Sequence, residues 1–567
     1  MTAGPHVRRR WTALAAIPFL VTACSRDLPY GQDALEYIPT TPVPVESPPP
    51  PTDVDDTLGT TPGPALDEEA WTPQIVRTGP PEADPLPDVD SGEGPLQVSV
   101  EQAVLLALSH NRSLAAERLN PLIQSTFEDV ERAVFDPTIF ANAQYDEEAR
   151  QQSDRATRAL FAVEAEGWSA EAGIRQTLPT GTDIELSLSE NLTASNRTQD
   201  QYGSRAGLTL TQALLRGASL EANLASIHQA EIATLQSAYE LRGFAEALVA
   251  EVETTYWDLV LAQKQMDIFA ESLAVAEQQR DETEKRVNVG QLAETELAAA
   301  RAEVALREQG LIDARSTLEK TRLNLLQLMN PKSDAGWDRI VVPSTIPDPL
   351  DLPEDNVRDR VALALALRPE LNQARLAAES DRLEVIVTRN GLLPRLDFFI
   401  TLGKSGYAAA FNQSVNDVSG PSYDFTAGFN FELPVGNRQA SALHLGAIAS
   451  RTQAIRSLEN LAQLTALDVR TATLEVERAK RQIAASAATR ALQEEVLRAA
   501  VAKFQVGNGT AFSVAQAQRD LLESRIAEIE AIVAHRQALI ELYRVEGSLL
   551  KRRGIDAPGG DRVDVDL

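Results

Sequence analysis

Two different spacings of apolar residues divide this chain. A period of two runs through Ile139, Ala141, Ala143 and Tyr145, then Ala172, Ile174, Gln176 and Leu178, then Ile184, Leu186 and Leu188, and Leu208 and Leu210. It returns at Phe398, Ile400 and Leu402 and at Phe425, Ala427, Phe429 and Phe431. Such alternation predicts strands of a sheet that is wet on one side. Membrane-barrel strands of about 9–11 residues carry the same signature. A heptad spacing follows each group of strands. From Leu241 the seam passes Ala245, Leu248, Val252, Thr255, Leu259, Ala262, Met266, Phe269, Leu273 and Ala276. Leu297, Val304, Leu311, Leu318 and Leu325 recur every seven residues, and Leu522, Ile526, Ile529 and Val533 continue the pattern. Pro179 to Pro331 and Pro434 to Pro558 contain no internal proline, so the helices can be long. One from about 219 to 289 would extend ~105 Å at ~1.5 Å per residue. Short helices are expected over about 98 to 133 and 356 to 390, the second resting on Val361, Leu365, Leu371 and Leu376.

The strand-then-helix order occurs twice. Ala107 to Leu114 aligns with Ala364 to Leu371, and Pro137 with Pro394, both at an offset of 257. Leu178-Pro179-Thr180-Gly181 aligns with Leu433-Pro434-Val435-Gly436 at 255, but Arg286 to Gly290 aligns with Lys503 to Gly507 at 217. The first half therefore carries about 38 extra residues between Gly181 and Arg286, which a hairpin after Leu178 explains. The first half would give four strands and the second two. The expected organisation is a signal over 1–23, a tether over 24–95, repeat 1 over 96–330, a connection over 331–355, repeat 2 over 356–550 and a tail over 551–567.

Composition changes the picture at the N-terminus. Arg8, Arg9 and Arg10 precede an apolar run over 11–21, the pattern of an export signal. Val21-Thr22-Ala23-Cys24 resembles a lipobox, which would make Cys24, the sole cysteine, an acylated first residue of the mature chain. Ser25 in place of aspartate favours sorting to the outer membrane. Residues 25–95 hold 16 of the 31 prolines and 15 acidic residues against Arg26 and Arg77, which predicts an extended tether.

The net charge of −29 argues against a sequence-independent grip on nucleic acid. One cysteine and five scattered histidines offer no metal framework, and none of the carboxylates sits in a nucleophile or phosphate-binding motif. No enzyme, cofactor or metal is expected. With no Walker motif, any energy must come from a partner.

Taken together, the export signal, the lipobox, the duplicated halves and the turns Val289-Gly290-Gln291-Leu292 and Val506-Gly507-Asn508-Gly509 resemble the TolC-type outer membrane efflux family, lipoprotein subtype. The resemblance spans roughly 96 to 550. It implies an α+β membrane protein: a homotrimer whose strands close one outer-membrane β-barrel, continuous with a long α-helical coiled-coil periplasmic tunnel. It also implies a passive exit channel of a tripartite efflux pump or type I secretion system, anchored in outer-membrane lipid. The two turns would be the docking tip for a periplasmic adaptor (membrane fusion protein), with an inner-membrane transporter beyond. The carboxylate ring that some members carry after the second turn is not reproduced, because Ser513 and Gln516 stand there. Glu294 and Glu296 are the candidates to replace it at the aperture, or else plain solvated charges. If the extra hairpin joins the barrel, three chains give 18 strands; if it folds outside lipid, 12. A lipid-anchored periplasmic coiled-coil scaffold or adhesin without a channel is the alternative reading.

Overall fold

The computed structural model of the chain describes residues 87, 89–90, 94–153, 158–345, 356–506, 508–560 and 562–563. The signal, Cys24, nearly all of the tether, residues 346–355 of the connection and Gly507 lie outside the described residues.

A short strand β1 (Leu96–Val98) leads into α1 (Val100–His110), α2 (Arg112–Glu117) and α3 (Asn120–Arg132). Instead of one helix over 98–133 there are three, and local chemistry explains the breaks. Ser99 and Gln102 form a reciprocal capping box that starts α1. Asn111 ends α1 in extended backbone and accepts a hydrogen bond from the Leu114 amide to start α2. Pro121, which has no amide hydrogen to offer, opens α3.

Four strands follow: β2 (Thr138–Ser153), β3 (Leu160–Leu178), β4 (Thr182–Ser195) and β5 (Thr198–Ala213). Then come the rods α4 (Leu220–Asn288, 69 residues) and α5 (Glu294–Met329). At ~1.5 Å per residue α4 is about 104 Å long. The connection holds α6 (Asp334–Trp337) and β6 (Val341–Pro343), the latter paired in parallel with β1. The second half runs α7 (Val357–Leu367), α8 (Pro369–Gly391), β7 (Arg395–Ala408), α9 (Phe411–Asp417) and β8 (Tyr423–Glu432). It continues through α10 (Arg438–Gln505), α11 (Ala511–Val545) and α12 (Leu549–Arg552). The short helix expected over 356–390 is split at Arg368-Pro369, because a residue preceding proline is pushed out of helical backbone.

The six long strands form one antiparallel sheet in the order β2-β3-β4-β5-β7-β8. Within one chain it is open, with β2 and β8 at its edges.

The rods pack as two antiparallel hairpins, α4 with α5 and α10 with α11. Of the α4 seam, Ala245, Leu248, Val252, Leu259, Ala262 and Ala276 are buried, while Met266, Phe269 and Leu273 are half-buried. The largest core joins α1, the middle of α4, the end of α5, β1, β6 and the end of α11. Tyr256 sits in it, donating to the Val98 carbonyl at 3.0 Å and accepting from the Thr345 amide at 2.9 Å. This phenol thereby fastens the start of one half and the connection to α4.

Candidate functional site

Residues directly opposite one another in an antiparallel sheet share a face. Register therefore sorts the sheet into two surfaces. One row reads Ile139, Ile174, Leu186, Leu208, Leu402 and Phe425 across the six strands. The adjacent row, on the opposite face, reads Phe140, Gly173, Ser187, Gly207, Gly403 and Asp424. The apolar face is the exposed one: Ile139 is 80% and Phe425 61% accessible, whereas Ser187 on the polar face is 8%. A sheet in water would bury the first and expose the second.

The polar face is crowded. A Cβ added at Gly173 would lie 2.7 Å from the Phe140 ring, and one at Gly428 2.9 Å from Phe399. Glycine lets these rings lie across the strands. Arg205 grips Asp424 bidentately, Nε to Oδ1 at 3.1 Å and Nη2 to Oδ2 at 2.7 Å. Arg395 meets Asp397 at 2.6 Å.

Aromatic residues stand at both ends of the apolar face. Tyr145 pairs with Trp168 toward the hairpin tips, and the Phe398 and Phe429 rings, 5.1 Å apart, lie toward the helices. Outward residues Tyr423 to Phe431 of β8 cover about 26 Å of strand at ~3.3 Å per residue. At the ~40° tilt usual for strands in a membrane barrel, such a run would make an apolar band about 20 Å tall. Glu190 interrupts the band and is covered by α9. Ser204 Oγ donates to its carboxylate, and Ser414 Oγ of α9 lies 3.1 Å from Glu190 Oε1.

At the far end of the rods the two predicted turns lie side by side. The Arg286 guanidinium sits 5.6 Å from the centre of the Phe504 ring. Gly290 takes φ +76°, a left-handed conformation that glycine adopts without strain, and its amide donates to the Val287 carbonyl at 2.9 Å. Gln291 N donates to Arg286 O, and Asn508 N to Lys503 O, each at 2.9 Å. Val289 and Val506 project with 69% and 72% exposure; Leu292 is half-buried, and Gln291 and Gly509 border the same tip.

Glu294 and Glu296 stand in the first turn of α5, exposed and half-exposed respectively. Ser513 is tied to Thr510, its amide donating to Thr510 Oγ1 at 3.2 Å. Gln516 Nε2 donates to Asp520 at 2.7 Å. Sequence spacing missed the group that bridges the two hairpins nearby. Arg519 of α11 donates to Glu303 of α5 at 2.9 Å, and Arg307 approaches the other Glu303 oxygen at 2.6 Å. The i,i+4 spacing of Glu303 and Arg307 was its only local trace.

Higher on α4, Glu246 is buried beside Arg242, Nε to Oε1 at 3.4 Å. Burial pushes the Glu246 carboxyl up to about 7, against the pull of Arg242. Its ordinary value is 4.5, so the folded chain holds this proton more tightly than the unfolded one. That stabilisation is complete below pH 4.5 and is lost as pH rises through 7. The thermal midpoint of the wild type is expected to fall between pH 5 and pH 8 relative to Glu246→Gln, which cannot ionise. Parallel curves across that range would refute the assignment.

Among the described residues no group of three or more His, Cys, Asp or Glu is placed to hold a metal ion, and no helix is long and apolar enough to cross a membrane.

Residues 361–548 match the family described as outer membrane efflux protein. The chain is 23% identical over 368 residues to outer membrane protein TolC of Vibrio cholerae serotype O1, a match covering 63% of this chain and 80% of that protein. Its fold is that of the Campylobacter jejuni CmeC outer membrane channel, with TM-score 0.59, 15% identity, and 79% and 86% of the two chains covered. It is also that of the open-state Neisseria gonorrhoeae MtrE outer membrane channel, with TM-score 0.56, 18% identity, and 80% and 90% covered.

Proposed function

We propose, for a chain that belongs to the outer membrane efflux protein family, that it is the passive outer-membrane exit channel of a tripartite efflux pump or type I secretion system. One observation carries the reading: the exposed face of the sheet is apolar and the crowded face polar. That inversion suits a wall with lipid outside and water inside. The open edges at β2 and β8 support assembly from identical copies. Unpaired backbone groups cannot remain in hydrocarbon, and six strands with two free edges satisfy them by pairing with the next copy. The family's arrangement makes the ring a homotrimer. The rods then form the periplasmic tunnel, and Cys24, acylated, anchors each chain to the outer membrane.

The purified protein is expected to form trimers that conduct ions across a planar bilayer. A water-soluble monomer with no affinity for lipid would overturn the proposal and favour the periplasmic scaffold instead.

The tip is the adaptor-docking end. Val289 and Val506 expose apolar surface beside a turn whose backbone is already satisfied, so they are available to a partner. Replacing both with aspartate is expected to abolish co-purification of the adaptor while trimers remain in the membrane. Undiminished co-purification would remove these residues from the docking surface. An inner-membrane transporter supplies the energy; the channel itself catalyses nothing. Glu294 and Glu296 remain the aperture candidates, and unchanged ion selectivity in Glu296→Gln would dispose of that role.

A further inference from the structure

The β4–β5 hairpin has no counterpart in the second half, where β8 leads directly into α10. The alignment of Leu178-Pro179-Thr180-Gly181 with Leu433-Pro434-Val435-Gly436 pairs β2 and β3 with β7 and β8, so the first half carries one hairpin more than the second. We propose that this hairpin is an integral part of the membrane wall, so that each copy supplies six strands and three copies close an 18-stranded barrel in place of a 12-stranded one. This rests on the channel reading.

The position of the hairpin carries the argument. It lies inside the sheet, between β3 and β7, not on an edge. β4 is paired with β3 from Ala165↔Ser195 to Leu178↔Thr182, and β5 with β7 from Tyr202↔Ala408 to Ala213↔Asp397. A barrel without the hairpin would have to break both ladders along their length and pair β3 directly with β7. The hairpin also has the chemistry of its neighbours. Ile184, Leu186, Leu188, Leu208 and Leu210 continue the outer apolar rows, while Ser187, Ser189, Gly207 and Thr209 continue the inner polar ones. Leu186 and Leu188 are 52% and 62% exposed, apolar surface of the kind a lipid-facing wall presents. With 14 and 16 residues, β4 and β5 exceed the ~9–11 needed to span a bilayer.

Direction is consistent as well. Every neighbouring pair in the sheet is antiparallel, so with six strands β8 runs opposite to β2. The β2 of the next copy can then extend the ladder antiparallel, whereas an odd number of strands would leave a parallel seam. Barrel diameter grows roughly in proportion to strand number, so 18 strands at equal tilt give a lumen wall about one and a half times as wide as 12. Barrels of about that size hold an aqueous channel. The extra hairpin thus widens the exit of the conduit without altering the helices below it, which suits bulky cargo such as a polypeptide or a large amphiphile.

A density map of the purified assembly in lipid tests this by counting strands per copy. Six per copy, 18 in a trimer, is expected. Four per copy with the hairpin outside the ring overturns the inference and leaves the channel reading standing. A lipid-indifferent monomer overturns both. In membranes, a water-soluble maleimide should label Thr209→Cys at least tenfold faster than Leu208→Cys, because the first faces the lumen and the second the acyl chains. Equal labelling of the two positions would place the hairpin in water and also overturn the inference.

Discussion

Phe425→Arg is expected to deplete assembled channel from the outer membrane, while Thr426→Arg, one residue along, leaves assembly intact. Phe425 ends the outer row Ile139, Ile174, Leu186, Leu208 and Leu402, with further outward apolar residues on either side of it along β8. On β8 Phe425 sits one outward position in from Tyr423, inside the apolar band that runs to Phe431. Arginine on the lipid face costs about 2–4 kcal/mol at the bilayer midplane and less toward the interfaces. The cost is incurred once in every copy, so a ring of three carries it three times. Thr426 is paired with Thr401 on the inner face, where water is available to an added guanidinium. The measurement is trimer recovered from outer membranes at equal expression. Equal loss from both substitutions would mean that the two faces do not differ in solvent, and the barrel would fail with it.

Glu546→Ala is expected to lower the stability of the helical region by about 3–5 kcal/mol, the usual cost of breaking a buried ion pair from one side. Glu546 is fully buried at the end of α11. Arg360 of α7 donates to its Oε1 at 2.7 Å; Ser548 Oγ donates to Oε2 at 2.9 Å and Arg552 of α12 to the same oxygen at 3.2 Å. Arg360 is itself buried, so removing the carboxylate leaves a cation in low dielectric with its principal counter-charge gone. The double substitution Glu546→Met with Arg360→Leu should recover most of the loss, since neither charge then remains. Denaturant unfolding in detergent reads both, and a loss under about 1 kcal/mol for the single variant would show that water reaches the site.

Local periodicity was enough for the inward and outward faces of the strands. A spacing of two assigns Leu208 and Thr209 to opposite sides whatever the strands pair with. The heptad seam likewise placed Leu248, Val252 and Leu259 in the interior. It was less informative beyond Ala262, where Met266, Phe269 and Leu273 keep the spacing but are only half-buried. Spacing says which face is apolar, and not how much neighbouring structure covers it. The short helices were misjudged as single pieces. Their apolar spacing continues across Asn111 and Arg368, while a cap and a following proline break the backbone there.

By itself, then, the sequence determined what is repeated at short range: the alternation of the strands, the length of the proline-free rods, the glycine turns at their ends and the surplus residues in the first half. Only the tertiary structure decided which side chains meet. Arg519 reaches Glu303 across 216 residues, Arg360 reaches Glu546 across 186, and Ser414 covers Glu190 across 224. No period encodes such pairs, because each partner is an ordinary surface-type residue until packing excludes water from both. The place of the extra hairpin belongs with them. Its alternation was legible, but whether it joined the sheet at an edge, in the middle or not at all depended on hydrogen bonds between strands remote in the chain.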